Sequence, residues 1–351
     1  MHQDWHSYLT KQGAVIENGS VSQFNSKNTE IEYSNAKTIL SDLSHYTLIK
    51  VTGSDANNFL QGQLSNDINF VTENQTQMSA YCSPKGRALA LFRIFELNNE
   101  YFLSLPTEIA EKTLNRLKMF IMRSDVTMDD VTEQYFHLGI AGSNATLAIE
   151  NALGPLSMPQ STDESIVIND ISIQNVPSST QRYELFGPIA NSTEIWEKLK
   201  NNCQPAGQSA WNLQRINAGI PEVLAATSDG FVPQMLNLQL INAVNFQKGC
   251  YPGQEIVART KYLGKLKKRL YLVEVNTSEP VEIGTDIYES GDNQQSVGKI
   301  VLIEASSANY SNALAVLRIS ALDNQPLHLV DKTGPQISLL EIPYDLDEEN
   351  A

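Results

Sequence analysis

Residues 246 to 260 read FQKGCYPGQEIVART and place Cys250 between Lys248-Gly249 and Tyr251-Pro252-Gly253. The residues after Gly253 predict a helix with Gln254 and Glu255 in its first turn, where the dipole favours a carboxylate. A thiol just ahead of a helix N-terminus and beside a lysine is expected to ionise more readily than a free cysteine. Its thiolate would be nucleophilic, oxidisable and able to bind a metal. The alternative is a small buried apolar side chain, the usual fate of a free cysteine. Gly249 and Gly253 weigh against that, because paired glycines indicate a backbone shaped around something. The chain has 3 cysteines in all, an odd number that makes no disulfide framework. It has no CxxC pair, and so few thiols cannot hold an iron–sulfur cluster within one chain. No GxGxxG and no phosphate-binding loop occurs. None of the 5 histidines is tied by a pattern to Cys250, as a cysteine protease would require. His2 and His6 stand at helical spacing, but in a terminal segment. Two aromatic residues, Tyr46 just before a predicted strand and Trp211 in the first turn of a predicted helix, could stack on a flat heterocycle or pack in a core.

The elements that position these residues belong to a chain of 351 residues, long enough for two or three domains. Its hydrophobic share of 41% and charged share of 19% are those of a soluble globular protein. No run approaches the roughly 18 apolar residues of a membrane span. The start, MHQDWHSYLT, has neither a basic head nor an apolar stretch, so no secretory signal is expected. With few cysteines, a reducing cytoplasm is the expected location. The formal charge of −15 is a poor electrostatic footprint for nucleic acid. The charge is uneven, however. Residues 246–270 carry Lys248, Arg259, Lys261, Lys265, Lys267, Lys268 and Arg269 against Glu255 alone, and the ending EIPYDLDEENA is acidic. The basic run reads either as a solvated edge or as a surface for phosphates or carboxylates.

TLIKVTG predicts a strand closed by Gly53, and SDANNFLQGQL a helix capped by Ser54. QMSAYCS and RALALFRIFEL read as strands, and Asn98-Asn99 as a hairpin turn into YFLSL. Thr107 opens a helical pattern through EIAEKTLNRLKMFIM, with Ile109, Leu114, Leu117 and Phe120 or Ile121 on the apolar face. A second block has the same order: strand YFHLGIAG, a helix capped by Ser143 and ended by Gly154, strands ISIQNV and RYELFG, and helix STEIWEKLKNN. Such orders imply split βαβ sandwiches. SAWNLQRINAGIP reads as a helix with Ser209 as cap and Gly219 just past its end. After residue 268, KRLYLVEV, VEIGTDIYES, SVGKIVLIEA and NALAVLRIS are short alternating runs, which predict a small antiparallel barrel or sandwich. The strongest boundary lies near 260–268.

KGCYPGQEIVART resembles the K-G-C-Y-x-G-Q-E signature of the YgfZ family, bacterial folate-binding proteins described as tRNA-modifying. The likeness is collinear over most of the chain, through LIKVTGSDANNFLQGQLSNDI, GFVPQMLNLQLINAVNFQKGCYPGQE, LGKLKKRLYLVEV and LEIPYDLDEE. The resemblance implies the fold of the glycine-cleavage T protein: an α+β chain with two split βαβ subdomains and a small C-terminal antiparallel β-barrel. The expected division is a central folate-binding subdomain from 1–45 and 131–260, a second subdomain from 46–130, a barrel from 261–345 and an acidic tail from 346–351. A bound folate is implied, tetrahydrofolate or a derivative, with Tyr46 and Trp211 as its aromatic contacts. Tyr46 stands where a close relative has Trp. Arg215, Asn217 and Arg259 complete the implied folate set. Asn217 replaces a glutamate with which the T protein holds the pterin. The T protein's catalytic acid would fall on Ala90 or Leu91, so nothing obvious assists proton movement on a folate nitrogen.

The family role that follows is an accessory one: support of iron–sulfur cluster assembly or repair, and thereby tRNA methylthiolation. Cys250 would be the functional thiol, with Lys248 and Glu255 beside it. The runner-up is a tetrahydrofolate-dependent one-carbon transferase of unknown acceptor, with Asp67 or Glu255 as its acid. A third class is direct tRNA binding through the basic run, which substitution of Lys267 and Lys268 would weaken.

Overall fold

The structure is a computed structural model, and it describes residues 1–290, 295–322 and 326–347. Contacts divide the chain into two compact units. The first comprises Met1–Phe59, Asn69–Gln77 and Arg93–Gln214; the second comprises Leu60–Ile68, Met78–Phe92 and the chain from Arg215 onward.

The first unit is built on a 6-stranded sheet. Its strands run, edge to edge, Ser165–Ile168, Ile171–Asn175, Arg182–Pro188, Tyr135–Ala141, Ile39–Asp42 and Gln204–Pro205. All neighbours are antiparallel except the last pair. Side chains alternate between the faces of a strand, and the two faces here differ in chemistry. Leu40, Leu138, Ile140, Ile173 and Leu185 point one way, into a core with Trp5, Leu9, Ala148, Ile149 and Trp196 of the helices Gln3–Lys11, Ala145–Leu153 and Ser192–Leu199. The opposite face carries Ser41, Gly139, Glu184 and Gln174, which stand in one row across four strands. A buried aromatic cluster of Phe95, Phe102 and Phe186 adjoins that face.

A second sheet has the order Gln77–Cys82, Ala88–Leu97, Glu100–Pro106, Tyr46–Thr52 and Thr127–Asp130. Both sheets place a three-strand meander beside an earlier strand; the first sheet adds Ile39–Asp42 and Gln204–Pro205 beyond it, the second only Thr127–Asp130. Asn98 and Asn99 take φ of 55° and 60°, the left-handed pair that a tight hairpin demands.

Three helix ends differ from the sequence reading. The helix opened by Thr107 stops at Lys118, and Phe120 is 44% exposed, so the apolar face is Ile109, Ala110, Thr113 and Leu117. Ser143 is not a cap: the helix Ala145–Leu153 is preceded by Asn144, without a side-chain hydrogen bond. Ser209 lies inside the helix Gln208–Asn217 rather than ahead of it. Gly154 and Gly219 hold left-handed φ of 98° and 71° just past their helices, as expected.

The second unit contains a closed barrel of Lys268–Val275, Ser311–Arg318, Gly298–Ala305, Asp286–Glu289, Leu327–Leu329 and Gln336–Leu340. Its interior is Val273, Val275, Ile287, Ile300, Ala313, Ala315, Leu317 and Leu329. Leu270, Leu272, Leu314 and Val316 face the other way, into a core with Met78, Cys82, Leu91, Ile220, Leu238 and Val257. That core binds the barrel to the irregular segment between Asn217 and Gln254. The acidic tail reaches Leu346, whose carbonyl accepts from Arg269 at 2.6 Å; residues 348–351 lie outside the described residues. Among the described residues no helix is long and apolar enough to cross a membrane.

Candidate functional site

Cys250 is exposed, on a turn that leads into the helix Gln254–Tyr262. Gly253 caps that helix at φ 79°. A Cβ there would meet the Ser83 carbonyl oxygen at 2.4 Å and the Gly86 backbone at 2.7 Å. Gly86 in turn has φ +67°, and a Cβ on it would stand 2.7 Å from Ile256 Cβ. The glycines of SPKG and YPGQ are therefore the price of a close backbone approach.

The other side of the turn is fixed by Lys248, which is only 7% exposed. Its ammonium donates to the carbonyls of Gln61 at 2.8 Å, Leu64 at 2.5 Å and Asn66 at 2.9 Å. Gln61 lies in the last turn of the helix Ala56–Gln63, where carbonyls have no partner within the helix. A cation there also meets the negative end of the helix dipole. Burial pulls the Lys248 pKa down to about 8, against the attraction of Asp67, so the ammonium form prevails at neutral pH. An ammonium has three donors, and all three serve main-chain carbonyls. Lys248 thus acts on the turn that carries Cys250, with no donor left for the thiolate or a ligand. The other two thiols are unlike Cys250. Cys82 and Cys203 are buried, and burial pushes each up to about 12, which leaves them as inert thiols.

In the first unit, Tyr46 and Trp211 share one core cluster with Ile39, Leu43, Ala141 and Val176. Trp211 is wholly buried. Its six-membered ring lies against Gly139, where a Cβ would stand 2.6 Å from the ring. The Arg182 guanidinium covers the indole at 4.0 Å from its centroid. The Trp211 Nε1, the Ser41 Oγ and the Gln174 Oε1 are buried without a hydrogen-bond partner among the described residues. Ser41 and Gln174 belong to the row that contains Gly139, Ser41 directly beside it and Gln174 two strands away. Tyr46 is 5% exposed and packs against the rings of His45 and His137. Neither aromatic residue presents an open face.

Glu184, in the same row, lies 3.1 Å from His137 Nε2. Burial alone would raise its pKa. The His137 hydrogen bond and the charges of His137, Arg93 and Arg182 outweigh burial and hold it at about 2, against an ordinary 4.5. A depressed carboxylate stabilises the fold above its unfolded pKa and loses that effect as pH falls through the folded value. The window is therefore pH 4.5 down to about 2. Glu184→Gln should lower unfolding free energy by about 3 kcal/mol at pH 7, and the gap to wild type should close on acidification across that window. Urea unfolding at pH 7, 4.5 and 3 measures it, and a gap independent of pH would refute it.

The remaining expected residues lie in the second unit. Arg215 pairs with Glu222 at 3.2 Å, and the Asn217 Oδ1 accepts from Asn312 Nδ2 at 2.8 Å. Trp211, Arg215 and Asn217 share one helix, Gln208–Asn217. Glu255 and Arg259 are exposed, in the first and last turns of the helix after Cys250. Asp67 accepts from Gln61 Nε2 at 3.0 Å. Ala90 and Leu91 are 0% and 4% exposed, apolar residues within a strand. Arg182, His137 and Glu184 escaped sequence reading. A glycine inside the strand pattern YFHLGIAG was the one signal that something presses on it.

Residues 6–248 match the GCVT N-terminal domain family. The whole chain superposes on the glycine cleavage system aminomethyltransferase T from Bartonella henselae with a TM-score of 0.81, at 16% identity, over 98% of this chain and 97% of that one. The fold is therefore that of the aminomethyltransferase T proteins. Within that class, the tRNA-modifying protein YgfZ of Colwellia psychrerythraea is 34% identical over 297 residues, 81% of this chain and 90% of the relative. The chain belongs to the YgfZ family.

Proposed function

We propose that the protein is a folate-binding accessory factor of the cytoplasm that supports iron–sulfur cluster assembly or repair, and thereby tRNA methylthiolation. Cys250 is its functional thiol. The observation that carries this reading is the contrast among the cysteines: two are buried and inert, while the third is exposed on a turn fixed by Lys248 and by the close approach of Gly253 to Gly86. Glu255 is the carboxylate proposed to take the thiol's proton. Direct contact with tRNA is not required.

The surroundings of Trp211 suit a pterin. The Trp211 indole N–H and the hydroxyl of Ser41, on the strand beside Gly139, are buried without hydrogen-bond partners among the described residues, and buried polar groups demand partners. A pterin edge offers both donors and acceptors. Trp211 and Tyr46 would hold the ring system; Arg215, Asn217 and Arg259 are the further folate residues that the family resemblance implies. When bound, a reduced folate supplies a one-carbon unit or a reducing pterin. Titration of tetrahydrofolate species should quench tryptophan fluorescence in wild type. The response should survive Trp5→Phe and Trp196→Phe and vanish in Trp211→Phe. No response to any folate species in wild type would sink the folate assignment.

With alanine and leucine where the T protein has its acid, aminomethyl transfer lacks a proton donor. Purified protein should therefore leave methylene- and formyl-tetrahydrofolate unchanged. Sustained turnover, lost on Asp67→Asn or Glu255→Gln, would favour the one-carbon transferase instead.

A further inference from the structure

The helix Gln254–Tyr262 that follows Cys250 buries a single residue, Val257. An ordinary surface helix buries a whole apolar stripe. Here Ile256 is 37% exposed, Tyr262 65% and Leu263 84%. Phe246, at the start of the Cys250 turn, returns to meet Tyr262 edge-on at 6.4 Å between centroids. Lys261 Nζ lies 4.2 Å from the Phe246 centroid and 5.9 Å from that of Tyr262. The chain from Phe246 to Gly253 therefore runs back along a helix about 13 Å long, and Cys250 lies within that stretch. Thiol and apolar cluster belong to one small surface.

The same surface is cationic. Arg259, Lys261, Lys265 and Lys267 are exposed in sequence around Tyr262 and Leu263, and Glu255 is the one acidic residue of the stretch 246–270. Exposed apolar residues ringed by charge mark an interaction site. Two polyanionic partners could answer to it, an acidic protein surface or single-stranded RNA. RNA needs open aromatic faces on which bases stack. Lys261 already covers Phe246 and approaches Tyr262, while Leu263 and Ile256 offer no ring. We propose that Phe246, Ile256, Lys261, Tyr262, Leu263 and Lys265 form the docking surface for a second protein, one that presents carboxylates around an apolar pocket and so brings its reactive group to Cys250. This rests on Cys250 being the functional thiol.

Two variants test it with Cys250 intact: Tyr262→Ser/Leu263→Ser, and Lys261→Glu/Lys265→Glu. Both alter exposed residues, so melting temperature and the rate of Cys250 alkylation by iodoacetamide should match wild type. In cells that rely on either variant, methylthiolated tRNA should fall at least fivefold. A benzophenone amino acid at position 263 should form an adduct with an iron–sulfur enzyme, resistant to nuclease and lost in the charge-reversed variant. Normal methylthiolation in both variants, while Cys250→Ala abolishes it, overturns the docking surface and leaves the thiol's role standing. No effect of Cys250→Ala overturns both. An adduct destroyed by nuclease makes RNA the partner and overturns the proposal.

Discussion

Cells that carry Cys250→Ala as their only copy should lose most of their methylthiolated tRNA, at least tenfold, although the protein folds normally. Exposure is what separates the two effects. Removing a sulfur that faces water should change stability by no more than about 0.5 kcal/mol, so the melting temperature should not move. Folate quenching of Trp211 should also be unchanged, because Cys250 is not among the residues proposed to hold the folate. Cys250→Ser should fail equally, since a hydroxyl at neutral pH is a far weaker nucleophile than a thiolate. The control runs the other way. Cys82→Ala and Cys203→Ala remove buried side chains that are 1% exposed. They should cost about 1 kcal/mol each, and leave methylthiolation intact. Mass spectrometry of tRNA nucleosides and a melting curve decide the matter together. Normal methylthiolation with Cys250→Ala would remove the thiol from the function.

What could be read from the sequence was mostly local. Asn98-Asn99 dictates its own turn through two left-handed residues. Gly154 and Gly219 end helices because a residue with a Cβ resists their backbone angles. The barrel's three 8-residue strands show themselves by alternation, whereas Leu327–Leu329 and Gln336–Leu340, 3 and 5 residues long, lie in no alternating run that stands out. Non-local partners left no trace. Nothing around Lys248 announces that it will bond to carbonyls 182 to 187 residues away. Arg182 could not be paired with Trp211 by any spacing rule. Trp211 was legible as an aromatic near a helix start, yet its depth depends on Gly139 in another strand. In the motif around Cys250, Gly253 records a close backbone approach, whereas a Cβ on Gly249 would meet nothing within 4 Å. The motif's lysine was readable as a neighbour of the thiol, whereas its task is set by a helix end far away in sequence.

Lys248→Met should therefore be the most damaging substitution that leaves every reactive atom in place. Methionine keeps the stem's volume and its apolar contacts but has no donor. The carbonyls of Gln61, Leu64 and Asn66 would lose their bonds to the ammonium, in a place only 7% of the lysine reaches water. Bonds to a charged group are each worth about 1.5–3 kcal/mol, and a buried acceptor left alone carries a further penalty. Against this stands the desolvation of the ammonium, visible in its pKa of about 8, which the variant no longer bears. The balance should be a loss of about 2–4 kcal/mol. Lys248→Arg should rescue little, because a planar guanidinium cannot direct three donors at a tripod of carbonyls as an ammonium does. Two further readouts separate a positioning role from mere loss of stability. At a temperature where the variant is still folded, amide exchange should quicken at residues 61–67 and 247–253 and not in the barrel. Methylthiolation should fall even when expression is raised to restore the amount of folded protein. If melting temperature, local exchange and methylthiolation all match wild type, the lysine does not hold the turn. If the ammonium instead serves the thiolate directly, Lys248→Met should slow Cys250 alkylation at pH 7 while leaving exchange at residues 61–67 untouched.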